Sequence, residues 1–216
     1  MKKRKTKREE ERVLSAAEQR RLAHFTEVCA EPESQGYQQS ELTIGIVKAN
    51  IIVLIATIPV FVIGFLLFFL CNRNRAVGGF AGSSSLLLLI ALLILIVVHE
   101  GVHGITWGIF ADNHLHDIEF GLMKEYLTPY CTCKVPLSRG AYIAGALMPL
   151  IVLGVIPAAI GIAAGSLFWL IVGLLMILSA GGDVLIVLQI LRFRSDAGEV
   201  LYYDHPTKAG LVVFEH

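Results

Sequence analysis

The chain has 216 residues, 55% of them hydrophobic and 17% charged, and its mean hydropathy is +0.67. That balance excludes an ordinary soluble domain and points to a protein whose solvent is largely lipid. A formal net charge of zero conceals an asymmetry: Lys2, Lys3, Arg4, Lys5, Lys7, Arg8 and Arg12 crowd one end.

Residues 1–43 form a polar, basic N-terminal segment with helix-like character over 9–24 and a Pro/Ser/Gly stretch at 32–36. It is expected to be a solvated tail on the cytoplasmic side. The first apolar run starts behind it, near residue 49, so a cleavable secretory signal is not expected. Four runs, 50–70, 86–109, 141–164 and 167–191, are each long enough to cross about 30 Å of hydrocarbon, which takes roughly 20 residues. The membrane domain is therefore expected over 44–191, with a cytoplasmic tail over 192–216. The expected fold is all-α integral membrane: four transmembrane helices, a small cytoplasmic β-hairpin segment between the second and third spans, and a short β-like C-terminal tail. No nucleotide-binding glycine loop or internal repeat is visible, and no nucleic-acid partner is expected.

Orientation follows from the basic residues in the connections. With the basic N-terminus cytoplasmic, 111–140 (Lys124, Lys134, Arg139) and the tail (Arg192, Arg194, Lys208) share its side; only Arg73 and Arg75 fall outside. Cys29, Cys131 and Cys133 then lie on the reducing side, where structural disulfides are not expected. Cys131 and Cys133 read as reduced thiols on one face of a strand, because a zinc knuckle would need a second ligand pair.

Inside the second run stands "HEGVH", His99 to His103. Residues four apart on a helix are about 40° and about 6 Å from each other, so both imidazoles can grip one cation. Glu100 lies about 100° from His99, off the ligand pair yet within reach of a water molecule at the metal. This is the HExxH arrangement of zincins, with two neutral imidazoles holding Zn²⁺ and a carboxylate as general base. Ionisable groups near a bilayer centre cost about 2.5–3.5 kcal/mol on insertion scales, and no Lys or Arg is near enough in the run to compensate.

A catalytic zinc usually takes three protein ligands. Asp183, in "SAGGDVLIVLQ", is the leading candidate for the third, being about 14 Å up its run from the cytoplasmic end; the two histidines are about 10–17 Å up theirs. Glu119, Glu125, His114 and His116 are the alternatives. Gly181 and Gly182 would permit close helix approach. Pro149, about 12 Å deep in the third run, cannot donate a backbone hydrogen bond and leaves the Gly145 carbonyl free, either as a packing kink or as part of the metal cavity.

HExxH in one span, a middle span, and an Asp near glycines in the last resemble the three-helix core of the site-2 protease class of intramembrane metalloproteases. More closely, "HEGVHGITW", "TPYCTCKVPL", "GALMPLIVLGVIP", "SAGGDVLIVLQILRF" and "DHPTKAGLVVFE" are similar to a bacterial membrane family of zincin-type peptidases, a domain of unknown function, over roughly residues 40–216. The resemblance implies zinc held by His99, His103 and Asp183, with Glu100 as base. Site-2 proteases usually place Gly after the Asp in a Pro-containing motif; here Gly182 precedes Asp183 and Val184 follows.

Residues 115–133 alternate at Ile118, Phe120 and Leu122, then extend again around 126–133. They read as a hairpin at the cytoplasmic mouth whose open edge could take an unwound substrate as an added strand. The tail reads as a second hairpin with His205 in its turn. The expected function is an integral-membrane zinc metallopeptidase that hydrolyses a peptide bond within or beside the cytoplasmic half of the bilayer. The alternative is a non-catalytic membrane adaptor or sensor with a structural zinc site; a hydrolase acting on a lipid is a third. The expected partners are the lipid bilayer and a membrane-protein or peptide substrate, and the expected place is the plasma or inner membrane, multi-pass, with both termini cytoplasmic.

Overall fold

A computed structural model describes residues 15–74, 82–123 and 128–216. The first helix, α1 (Ala16–Ser34), opens on a capping box. Ser15 Oγ accepts from the Glu18 amide at 3.3 Å, and Glu18 Oε2 accepts from the Ser15 amide at 2.9 Å, so free donors at the helix start are satisfied reciprocally. Phe25, Val28 and Cys29, at helical spacing, form a narrow apolar stripe packed on Tyr203 and Phe214. The leading segment therefore differs from the expected solvated tail: from residue 16 it is a helix, followed by strand β1 (Gln38–Thr43). One stripe in an otherwise polar stretch was too narrow to show in composition.

Helices α2 (Ile46–Asn72) and α3 (Gly82–Phe110) follow. Their large apolar side chains, Leu54, Ile55, Leu86, Leu93 and Val97 among them, point outward, as suits helices whose solvent is lipid. The next long helix runs Arg139–Ala164 in three parts: α4 (Arg139–Pro149), a π-helical stretch Leu150–Val155, and α5 (Ile156–Ala164). Ser138 Oγ caps α4 by accepting from the Ala141 amide, and the π-helical stretch begins directly after Pro149, the residue that cannot continue the hydrogen-bond ladder.

The fourth run departs from a single straight span. It consists of α6 (Leu167–Ser179) and α7 (Gly181–Arg192), bent by 47°. Among the described residues, three helices are long and apolar enough to cross a membrane, or four if the bent pair crosses as one. Gly181 and Gly182 weaken the helix at the bend, and Gly181 lies so close to α2 that a Cβ there would come within 2.2 Å of Val53. Between α5 and α6 the chain reverses at Gly165, whose φ of 69° is left-handed. Beyond that turn the two helices touch backbone to backbone, since a Cβ on Gly161 or Gly173 would meet the Leu170 or Ala158 nitrogen at 2.3 Å.

The β content exceeds a hairpin and a β-like tail. Strands β2 (Ile118–Met123) and β3 (Thr128–Cys133) pair antiparallel, Phe120 opposite Cys131, as the expected hairpin. A four-stranded antiparallel sheet in the order β1-β6-β5-β4 adds β4 (Leu137–Ser138), β5 (Val200–Asp204) and β6 (Gly210–Glu215). Its register sets Glu41 opposite Val212, Tyr202 opposite Val213 and Leu137 opposite Tyr202. The fold is thus a helical bundle with a sheet at one end, rather than all-α. Leu211, Val212, Val213 and Phe214 are all buried: Leu211 and Val213 pack into the core that holds Trp107, Tyr142 and Ile190, whereas Val212 and Phe214 pack with α1.

Candidate metal centre

His99 and His103 lie on one face of α3, in its sheet-proximal part. Both are buried, at 5% and 3% exposed. Asp183 sits in the first turn of α7, immediately after the bend, where the unpaired N–H groups of a helix start favour a carboxylate. The bend lets the chain begin a helix at that depth, and Gly182 leaves open space beside it.

Among the described residues, His99, His103 and Asp183 form one group able to hold a metal ion. The two Nε2 atoms are 3.1 Å apart, and Asp183 Oδ2 lies 3.2 Å from His99 Nε2 and 3.5 Å from His103 Nε2. Ligands at about 2.0–2.1 Å from a tetrahedral zinc are separated from one another by about 3.3 Å. The three edges match that spacing, so the residues fit the ion.

The hydrogen bonds of His103 fix which nitrogen faces the group. A carbonyl can only accept, so His103 Nδ1–H donates to the Gly145 carbonyl at 2.9 Å, which leaves the lone pair on Nε2, toward Asp183. That carbonyl is the one Pro149 fails to use. The proline break thus bears on the site through His103, from the ring edge opposite Nε2. Outer partners of this kind orient metal-ligating histidines. Among the described residues His99 has none: its Nδ1 is buried without a partner there.

Trp107, one turn beyond His103, stacks on the imidazole with ring centroids 5.0 Å apart and planes 15° apart. Its indole lies flat against α4 at Gly145, where a Cβ would come within 2.0 Å of Nε1. Trp107 Nε1–H donates to the Tyr142 carbonyl at 3.2 Å. Tyr142 in turn donates its hydroxyl to Asp204 Oδ1, and Thr132 Oγ1 donates to Asp204 Oδ2 at 2.7 Å. Burial raises the pKa of Asp204 despite these two donors. Sequence reasoning missed Trp107, Tyr142 and Asp204; an aromatic four residues after the second His was the available signal.

Glu100 is near enough to both imidazoles and to Asp183 to interact with each. With Val97, Phe120, Leu122, Pro129 and Tyr130 it lines a cavity of about 490 Å³ between α3 and the hairpin. The hairpin seats on α3 at Gly104, where a Cβ would meet Phe120 at 2.4 Å. The cavity therefore has apolar walls and one carboxylate, beside the metal group.

The alternative third ligands lie elsewhere. Glu119 accepts from Tyr130 Oη at 3.3 Å, His114 bonds the Gly108 carbonyl through Nδ1, and neither these nor His116 joins the group. Glu125 falls outside the described residues. Cys131 and Cys133 are free thiols on β3. Burial pushes Cys133 up to about 11 and Cys131 higher still, so both are protonated at neutral pH.

Residues 92–197 match a protein family described as "putative zincin peptidase". That stretch contains His99, Glu100, His103 and Asp183 and ends before β5. No curated protein and no solved structure matches the chain.

Proposed function

We propose that this protein is an integral-membrane zinc metallopeptidase that cleaves a peptide bond within or next to the cytoplasmic half of the bilayer. The observation that carries the reading is the convergence of two imidazole nitrogens and one carboxylate oxygen at 3.1–3.5 Å beside a glutamate that faces a cavity. A purely structural site has no need of such a glutamate. His99, His103 and Asp183 would hold the zinc, which when bound supplies a Lewis acid for the scissile carbonyl and acidifies water.

The remaining steps belong to the chain. The apolar walls of Phe120, Leu122, Pro129 and Tyr130 receive an extended apolar segment, and the hairpin keeps bulk water from the cavity. Glu100 takes a proton from water as its oxygen bonds the carbonyl carbon, then returns the proton to the amide nitrogen as the C–N bond breaks. One amine and one carboxylic acid leave, the acid passing its proton to the amine, and the Glu100 carboxylate is regenerated.

Replacing Glu100 by Gln preserves shape and both imidazoles but removes the proton acceptor. Turnover of a peptide substrate should fall by at least about 100-fold, the low end of general-base contributions, with zinc content unchanged. Crosslinking of the variant in membranes should then trap uncleaved substrates. If Glu100→Gln sustains the parent's cellular role at equal abundance and zinc content, the protein is an adaptor or sensor with a structural metal.

A further inference from the structure

We infer that Asp204, in the C-terminal sheet and beyond the family-matched stretch, is a positioning residue for the metal centre, acting on His103 through Tyr142 and Trp107. The inference rests on the proposed zinc site.

The contacts form one continuous chain. Asp204 receives the Tyr142 hydroxyl. The Tyr142 ring packs on the Trp107 indole at 5.3 Å between centroids, and the Tyr142 carbonyl receives the indole N–H. Trp107 covers the face of the His103 ring while the Gly145 carbonyl holds its Nδ1 edge. Face and edge together leave the imidazole one rotation about its Cβ–Cγ bond, with Nε2 toward Asp183. Tyr142 itself is 2% exposed, so its hydroxyl requires a partner. The second oxygen of Asp204 is taken by Thr132 of β3, one of the strands that frame the cavity. A single carboxylate thereby joins the sheet, the hairpin and the helix that carries the metal-side carbonyl.

Anchoring the sheet to the bundle does not by itself call for a buried acid. Leu137, Leu211 and Val213 already pack into the same core as Trp107 and Tyr142, and apolar contacts do that at no charge-desolvation cost. What the carboxylate adds is direction: two hydroxyl donors at fixed angles, hence a fixed Tyr142 and a fixed indole.

The test measures zinc affinity of the full-length protein in detergent by chelator competition, together with the visible spectrum of Co²⁺ bound in its place. Tyr142→Phe, which removes one oxygen, and Asp204→Ala should each weaken zinc about 10-fold or more, the range typical of lost outer-sphere partners, and each should shift the Co²⁺ bands. Asp204→Asn keeps an acceptor for the Tyr142 hydroxyl and should restore both affinity and spectrum. The double variant Tyr142→Phe/Asp204→Ala should be no weaker than the worse single one, because both break the same link. A folded Tyr142→Phe with the parent's affinity and spectrum overturns the inference, as do additive losses in the double variant. Failure of the parent to take up zinc would be a different result, since it removes the metal centre and this inference with it.

Discussion

His103 is gripped on every side that matters to a ligand: the Gly145 carbonyl at Nδ1, the Trp107 indole on one face, Asp183 and His99 at Nε2. Removing a neighbour of Nε2 should therefore affect metal retention more than any outer contact does. Asp183→Ala should weaken zinc by more than about 100-fold, beyond the 10–100-fold usual for an outer partner, and His103→Ala should do the same. Equilibrium dialysis against buffered zinc reads this directly, and parent-like affinity in Asp183→Ala would exclude that residue from the ligand set. At this scale much of the site was legible in the sequence. The four-residue spacing of His99 and His103 dictates a shared helix face, equal depth selects Asp183 among the acids, and Pro149 marks Gly145 as the carbonyl left free. Asp204 was illegible because its partners lie 62 and 72 residues away, a separation with no local pattern.

At the scale of elements, periodicity and length announced the apolar helices and the β2–β3 hairpin, whereas the break at Ala180 and strand β1 escaped. "QQSELT" has no apolar alternation; it is a strand because β6 offers it an edge, and strand pairing is a property of two distant segments. The turn joining β5 to β6 carries its own switch. His205 Nδ1 accepts from the Thr207 and Lys208 amides at 3.2 and 3.0 Å, and Nε2 faces Glu41 of β1 at 3.5 Å. Burial lowers the His205 pKa, against the opposing pull of Glu41. A histidine whose folded pKa lies below its unfolded one, about 6.5, contributes stability that is complete above that unfolded value. The contribution is lost as pH falls through the window toward the folded value. The hydrogen bond from Lys208 lowers the pKa of Glu41, so its contribution is lost only at more acidic pH, as that carboxylate protonates. Amide exchange at Thr207 and Lys208, corrected for intrinsic rates, should accelerate relative to Val213 between pH 7 and 5. Equal protection at both values would show that the neutral imidazole does not hold the turn.

For the molecule as a whole, the sheet joins β1, which precedes α2, to β5 and β6, which follow α7. Asn74, just beyond α2, and Asp196, just beyond α7, are both exposed, and the proposed orientation puts them on opposite sides of the membrane. In a Cys71→Ser background, Asn74→Cys should react with an impermeant maleimide added outside intact cells, and Asp196→Cys only after the membrane is opened. Labelling of Asp196→Cys from outside with Asn74→Cys protected would reverse the proposed orientation and the side on which the substrate is met, and labelling of both from outside would overturn their placement on opposite sides. The four-stranded sheet also sets a timetable for assembly. Ser40 and Glu215, which bond across β1 and β6, are separated by 175 residues, so at about 5–20 residues per second of synthesis the first strand waits about 9–35 s for its neighbour. An apolar edge left bare that long would invite foreign chains. Gln38, Gln39, Ser40 and Glu41 make it a poor template in the interval, and the feature that hid β1 from sequence reading is what lets it wait safely.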